Sequence, residues 1–256
     1  MTARTDAQDD LVSMRHKPLH LLTYLDENSW LPGPRANLTL VDAFADVAPE
    51  EIVWQLTGSP DEFRRLCGAA ALGRLYLERP GDAAVLERLT ELAVDDNWRV
   101  REGVAMALQR VGDASPELLL TLVDGFLAGS SRVVRAAVAG ICEPRLLRTP
   151  RMAEVALDAC RRATEHLQTV PFEQRRHDDV RTLRQALGYC WSVAIAAAPE
   201  RGLALWRELE ARAASDADIA WIVSENLTKA RLKRVLSLHK DEDVGPAGLE
   251  PTTPAV

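Results

Sequence analysis

The sequence lacks any segment long enough to cross a membrane as a helix. Its longest uncharged stretch, residues 185–199, has 15 residues, whereas a membrane-spanning helix needs about 20 apolar residues. The first ten residues are polar and acidic and contain no apolar core of a secretion signal. We therefore expect no contact with a membrane and a cytoplasmic location.

Paired cysteines and nucleotide-binding loops are also missing. The chain has 4 cysteines with no C-x-x-C pair among them, which favours buried thiols in a reducing compartment over disulfides or a zinc site. No glycine-rich phosphate loop and no G-x-S-x-G nucleophile motif is present. The sequence therefore predicts neither a metal site nor a cofactor.

The chain has no excess of basic residues. It contains 31 lysines and arginines against 38 acidic residues, a net charge of −7, which argues against a general nucleic-acid coat. The charge is segregated, however. Residues 42–96 contain 12 acids and 5 arginines, residues 131–184 contain 11 arginines and 7 acids, and residues 227–240 contain 5 basic residues and no acid. Such local basic patches leave DNA open as a partner.

Strand-like alternation of Val, Ile and Thr is absent, and a helical repeat is present instead. Arg65, Arg101 and Arg135 stand 36 and 34 positions apart, and each is followed by small and apolar residues at helical spacing. Looser copies begin at Arg184 and Ser224. One helix pair cannot bury its apolar face alone, but a stack of pairs can. The repeat predicts an all-α fold, a right-handed solenoid of about five to six antiparallel helix pairs.

The sequence divides into three parts. Residues 1–36 are predicted to hold an N-terminal helix near residues 19–26 and a loop rich in proline and glycine at 31–35. Residues 37–240 form the predicted repeat domain. Residues 241–256 have no apolar periodicity, so we expect a disordered tail there.

Trp98 and Glu102 form the most suggestive constellation in the repeats. They are four residues apart, so an aromatic ring and a carboxylate lie about one helical turn apart on the same face and could hold a cation. Two plainer interpretations stay open. Trp98 could pack against the preceding helix, and Arg135, one repeat later, could belong to a ladder of ion pairs between repeats.

The segment from Asp95 to Ala105, with an acidic turn leading into a Val-Arg pair, resembles the second helix of a HEAT repeat. The resemblance covers roughly residues 37–236 at the repeat period. In HEAT arrays the second helix of each pair lines the concave face. The resemblance therefore implies that the repeated arginines lie on or near that face.

HEAT-like repeats also form the alkylpurine DNA glycosylases of the alkylation repair superfamily, which this chain resembles in size. Matched to their pattern, Trp98 takes the place of the first tryptophan and Trp191 that of the last. Glu102 stands where the family has an aspartate, and Arg132 or Arg135 stands at the arginine. The resemblance implies that Glu102 would be catalytic, stabilising positive charge on the sugar as a cationic base departs, without a metal or cofactor.

Three functions follow from these observations. The first is a binding or scaffold protein that recognises a partner protein or a ligand on its concave face. The alternative is a DNA-binding or glycosylase-like protein, in which case the chain would be a hydrolase. The third is a HEAT-like protein recruited to the metabolism of alkylating natural products. The sequence leaves open whether the protein is an enzyme.

Overall fold

The structure, a computed structural model, describes residues 2–240. All regular secondary structure within this range is helical. The helices are α1 (Ala3–Met14), α2 (Pro18–Glu27), α3 (Leu38–Val47), α4 (Glu50–Thr57), α5 (Glu62–Glu78), α6 (Ala83–Ala93), α7 (Trp98–Ala114), α8 (Pro116–Phe126), α9 (Ser131–Ile141), α10 (Pro150–Thr169), a 3-10 helix (Phe172–Gln174), α11 (Asp178–Ala197), α12 (Pro199–Ala213), α13 (Ala217–Leu227) and α14 (Ala230–Lys240).

The helices form two layers. The inner layer contains α1, α3, α5, α7, α9, α11 and α13, each packed beside the next. Outer helices α6, α8, α10 and α12 each pack against two successive inner helices, and α4 packs against α5. The helices thus form five antiparallel pairs, from α4/α5 to α12/α13. The predicted all-α solenoid of helix pairs is confirmed.

Short polar residues fix where the inner helices begin. The side chains of Asp61, Asn97 and Asp216 accept hydrogen bonds from backbone N–H groups in the first turns of α5, α7 and α13. These N–H groups have no partner within the helix, so a side-chain acceptor at this position stabilises the helix start. Outer helices α8, α10 and α12 begin with proline, which has no N–H to satisfy there, and the side chains of Ser115 and Thr149 also cap α8 and α10.

Glycines in the repeat motif allow α5 and α7 to approach closely. A Cβ atom added at Gly103 would lie 2.8 Å from the carbonyl oxygen of Leu66 and 2.9 Å from the Cβ of Ala69. One added at Gly73 would lie 2.9 Å from the Cα of Ala107. The two helices therefore touch backbone to backbone, and larger residues at these positions would hold them apart.

The repeated arginines Arg65 and Arg101 fasten the loops that lead into their helices. Arg65 donates to the carbonyl oxygens of Ser59 and Pro60, and Arg101 donates to those of Asp95 and Asp96, at the equivalent place one repeat later. Each arginine thus binds the loop that precedes its own helix. Arg101 is buried, and burial together with repulsion from neighbouring arginines lowers the pKa of its guanidinium.

The N-terminal region differs from the prediction of a single helix separated from the array. Two helices are present, and α1 packs directly against α3, extending the inner layer. Polar contacts hold it there, since Arg4 donates to Asp46 at 2.6 Å and Gln8 donates to the same carboxylate. The helix predicted near residues 19–26 is α2, and the predicted division at residue 36 stays a prediction. The predicted disordered tail, residues 241–256, lies outside the described residues.

Two further findings concern residues 2–240. No helix in this range is both long and apolar enough to span a bilayer. All four cysteines are buried free thiols, and the sulfur atoms of Cys142 and Cys160 lie 3.6 Å apart. Burial raises the pKa of the Cys160 thiol.

Candidate binding groove

A groove of about 580 Å³ lies over the inner layer where α7, α9 and α11 meet, and we call it the central groove. Trp98 and Glu102 reach it from α7, Arg135 from α9, and Gln185 and Tyr189 from α11. It continues into a second depression of about 740 Å³ toward the N-terminus, which we call the N-terminal depression.

Trp98 is the first residue of α7, and 55% of its surface is exposed. Asn97, the cap of this helix, holds the turn that presents the ring. The guanidinium of Arg99 lies 4.8 Å from the ring centroid, so one face of the indole is covered. Arg99 is itself paired with Glu62 at 3.2 Å, which offsets its charge. The remaining exposed surface of the ring is available to a ligand in the groove.

Glu102, one turn after Trp98, is half-buried and forms an ion pair with Arg135. Nη2 of Arg135 donates to Oε2 of Glu102 at 2.9 Å, and Nη1 donates to the carbonyl oxygen of Arg101 at 3.1 Å. The arginine therefore links α9 to α7. One carboxylate oxygen of Glu102 is left without a protein partner among the described residues.

Arg132, the other candidate for the arginine position, is engaged elsewhere. It is largely buried, donates to the carbonyl oxygen of Val94 at 2.6 Å, and pairs with Asp96 at 3.0 Å and Asp178 at 3.1 Å. Burial opposes the charged form, but these two carboxylates raise the pKa of Arg132 above its ordinary value. Arg132 does not line the central groove; it ties the starts of α7, α9 and α11 together.

Trp191, expected to contact a ligand, lies in the core instead. Only 2% of its surface is exposed, and its indole N–H donates to the hydroxyl of Thr164 at 3.1 Å. Tyr189 is the aromatic residue of α11 that lines the groove, with 42% of its surface exposed. Arg231 stacks on the Tyr189 ring at 4.7 Å and donates to its hydroxyl at 3.0 Å.

The periodicity of the helix explains why Tyr189 lines the groove while Trp191 lies in the core. The buried positions of α11 include Leu183, Leu187 and Cys190, and Trp191 stands four residues after Leu187, on the same face. Residues two positions apart on a helix point to nearly opposite sides. Tyr189, four residues after Gln185, therefore faces the groove. Counting from the apolar positions, rather than choosing the larger aromatic residue, would have identified Tyr189.

Charges of both signs line the groove and the N-terminal depression. Arg101 and Arg135 in the central groove stand against Glu102 and Glu143. In the N-terminal depression, arginines are paired with carboxylates, as Arg145 is with an aspartate at 3.1 Å. The central groove and the N-terminal depression therefore offer no continuous positive track of the kind that follows a DNA backbone.

Comparison with known proteins identifies the central part of the array. Residues 49–141, from the start of α4 to the end of α9, match the family model described as HEAT repeats. This segment is similar to HEAT repeats. HEAT repeats are typical of scaffold and protein-binding proteins. Half of the central groove, contributed by α7 and α9, belongs to the matched HEAT repeats.

No curated protein matches this chain. The crystal structure of an engineered protein aligns over 91% of this chain and 97% of its own, with 18% sequence identity and a TM-score of 0.37. A similarity this low identifies neither a function nor a common ligand.

Proposed function

We propose that the protein is a binding module whose central groove takes a segment of a partner protein carrying a cationic side chain. The observation that carries this proposal is the placement of Trp98, Glu102 and Tyr189 in one groove, with both rings exposed. An aromatic face attracts a cation, and a nearby carboxylate adds its charge to that attraction. At about 580 Å³ the groove has the size of a side-chain or small-ligand site.

The mixed charge of the inner face supports a protein segment over a nucleic acid. The two arginines and two glutamates that line the groove leave it without net charge, so a single positive group beside Glu102 suits it better than a run of them. The four free thiols support the cytoplasm as the location we propose for this binding.

Labelled decapeptides of the same uncharged sequence, carrying arginine, serine or glutamate at one central position, test the proposal by fluorescence anisotropy. The arginine peptide should bind best. Trp98→Ala and Glu102→Gln should each weaken that binding about 2- to 30-fold, the range of a cation–π contact of about 0.5 to 2 kcal/mol. Trp30→Ala and Glu117→Gln remove an exposed ring and an exposed carboxylate outside the groove and serve as matched controls.

Two outcomes would refute the proposal. The first is equal binding of the three peptides. The second is an equal loss of affinity in the control variants, which would show that the binding has no connection with the groove.

A second candidate, DNA-lesion binding or glycosylase-like activity, is favoured by one observation: Trp98, Glu102 and Arg135 share the groove, as the resemblance to the alkylation repair superfamily implies. The same site could also take a small alkylating natural product, our third candidate. Incubation with duplex DNA treated with a methylating agent separates these functions. Release of methylated bases that is lost in Glu102→Gln would establish the glycosylase, and any DNA binding should weaken steeply with salt.

A further inference from the structure

A further pocket, independent of the central groove and the N-terminal depression, lies where the loop between α10 and α11 meets the start of α13. It encloses about 340 Å³. The loop belongs to the longest repeat, in which Arg135 and Arg184 stand 49 positions apart instead of 34 to 36. Four arginines line this arginine pocket together with Phe172, Ala217 and Asp218; they are Arg175, Arg176, Arg181 and Arg184.

Two of the arginines build the pocket wall. Arg175 is largely buried, pairs with Asp216 at 2.8 Å and donates to the carbonyl oxygen of Val170 at 2.9 Å, which fixes the loop against α13. Arg184 pairs with Asp218 at 2.6 Å, and its Nε is buried without a hydrogen-bond partner among the described residues. The charge of Asp218, the only carboxylate lining the pocket, is thus neutralised by an arginine of the pocket wall.

The other two arginines retain free donors. Arg176 is exposed and makes no hydrogen bond or ion pair with the rest of the described chain. Arg181, whose side chain is 55% exposed, uses a single N–H to bond Asp178 at 2.7 Å. A guanidinium has five N–H donors in a planar fork that matches the oxygens of a phosphate. The pocket therefore presents several unused donors and a local excess of positive charge.

Phe172 completes the pocket with an exposed ring. It belongs to the short 3-10 helix, and 64% of its surface is exposed. An apolar ring kept at the surface beside arginines offers a flat face on which another ring can stack, next to donors for a charged group.

We propose that the arginine pocket binds a phosphate monoester whose molecule also holds an aromatic ring, such as a phosphotyrosyl side chain or a nucleoside monophosphate. The free donors of Arg176 and Arg181 bind the phosphate oxygens, and Phe172 stacks on the ring. A monoester carries close to two negative charges at one point, which suits a small, dense arginine cluster. A polynucleotide spreads its charge along a strand, whereas this pocket concentrates its arginines at one point.

Isothermal titration calorimetry with phenyl phosphate as the probe tests this assignment. Phenyl phosphate should bind with a dissociation constant of about 1 mM or tighter. Phenyl sulfate, which has the same shape and one charge fewer, should bind at least about fivefold more weakly. Phe172→Ala should weaken phenyl phosphate and leave inorganic phosphate unchanged. A phosphotyrosyl tetrapeptide and adenosine monophosphate then distinguish the two sources of the ring.

The double variant Arg176→Gln/Arg181→Gln should lower the affinity for phenyl phosphate at least about tenfold. Arg151→Gln/Arg201→Gln removes the same charge from exposed arginines elsewhere and should change it less than about twofold. Both pairs lie at the surface, so circular dichroism should report intact folding. Absence of phenyl phosphate binding, equal binding of the sulfate, or equal losses in the two double variants would overturn the assignment. None of these results depends on what the central groove binds.

Discussion

Replacing Gly103 by alanine should force α5 and α7 apart. The new Cβ would lie 2.8 Å from the carbonyl oxygen of Leu66, whereas ordinary contacts begin near 3.4 Å, so the helices would have to separate by about 0.6 Å. The second obstacle, the Cβ of Ala69 at 2.9 Å, stands directly on its helix and cannot rotate away. The clash therefore has to be relieved by backbone movement.

The expected loss in the free energy of unfolding is about 1 to 3 kcal/mol, the range for overfilling a packed core. Alanine favours the helical backbone over glycine by about 1 kcal/mol, which offsets part of this loss. Gly125→Ala in α8 is the matched control, because a Cβ at this exposed position would meet nothing within 4 Å. That variant should gain about 0.5 to 1 kcal/mol.

Urea denaturation followed by circular dichroism at 222 nm measures both effects, with the wild type as reference. The two substitutions add the same methyl group to a helix, so their opposite signs would isolate the contribution of the close approach. If Gly103→Ala proved as stable as Gly125→Ala, the α5–α7 contact would not be under the steric constraint inferred here.

Three further predictions concern single side chains. Trp98→Ala should cost less than about 1 kcal/mol of stability because the ring is exposed, and a loss of about 3 to 5 kcal/mol in urea denaturation would reveal a core role instead. Asn226→Ala should cost about 2 to 5 kcal/mol of stability in the same assay, because this buried amide makes two hydrogen bonds to α11 and one within α13. A loss below about 1 kcal/mol would contradict this. Burial opposes ionisation of Asp46, but hydrogen bonds from Arg4 and Arg110 lower its pKa. The stability that the ionised Asp46 adds is therefore present above about pH 4 and is lost as the pH falls through the lowered pKa. The loss in free energy of unfolding caused by Asp46→Asn should therefore shrink in acid. A loss that does not depend on pH would refute this.

The array could be predicted from the sequence because its signal is apolar and periodic. Small residues recur after Arg65, Arg101 and Arg135, and the structure packs them between neighbouring inner helices. Helix α1 was not predicted because its sequence lacks such an apolar, periodic signal. Leu11 is its one buried residue, and polar contacts to Asp46 hold it, so its sequence carries no apolar periodicity.

The candidate site could be predicted only in part. The spacing of Trp98 and Glu102 placed both side chains on one face, and the structure brings them into one groove with Arg135. Contacts between distant residues decided where Arg132 and Trp191 lie. Carboxylates from two other repeats pair with Arg132, and Trp191 is buried in the core. Whether these side chains bind a ligand stays a prediction.

The contrast between the contacts of α7 with its two neighbours has a mechanical consequence. Toward α5 the contact is backbone against backbone, which yields little under load. Toward α9 a long arginine spans the seam, and such a side chain can change rotamer and keep its bonds while the helices shift. The α7–α9 seam has one close approach, of Gly140 to the side chain of Leu108, whereas two glycines bring α5 and α7 together against backbone atoms, so we expect the array to bend more easily at α7–α9. The central groove lies over the compliant seam, so its width can follow the shape of whatever enters it.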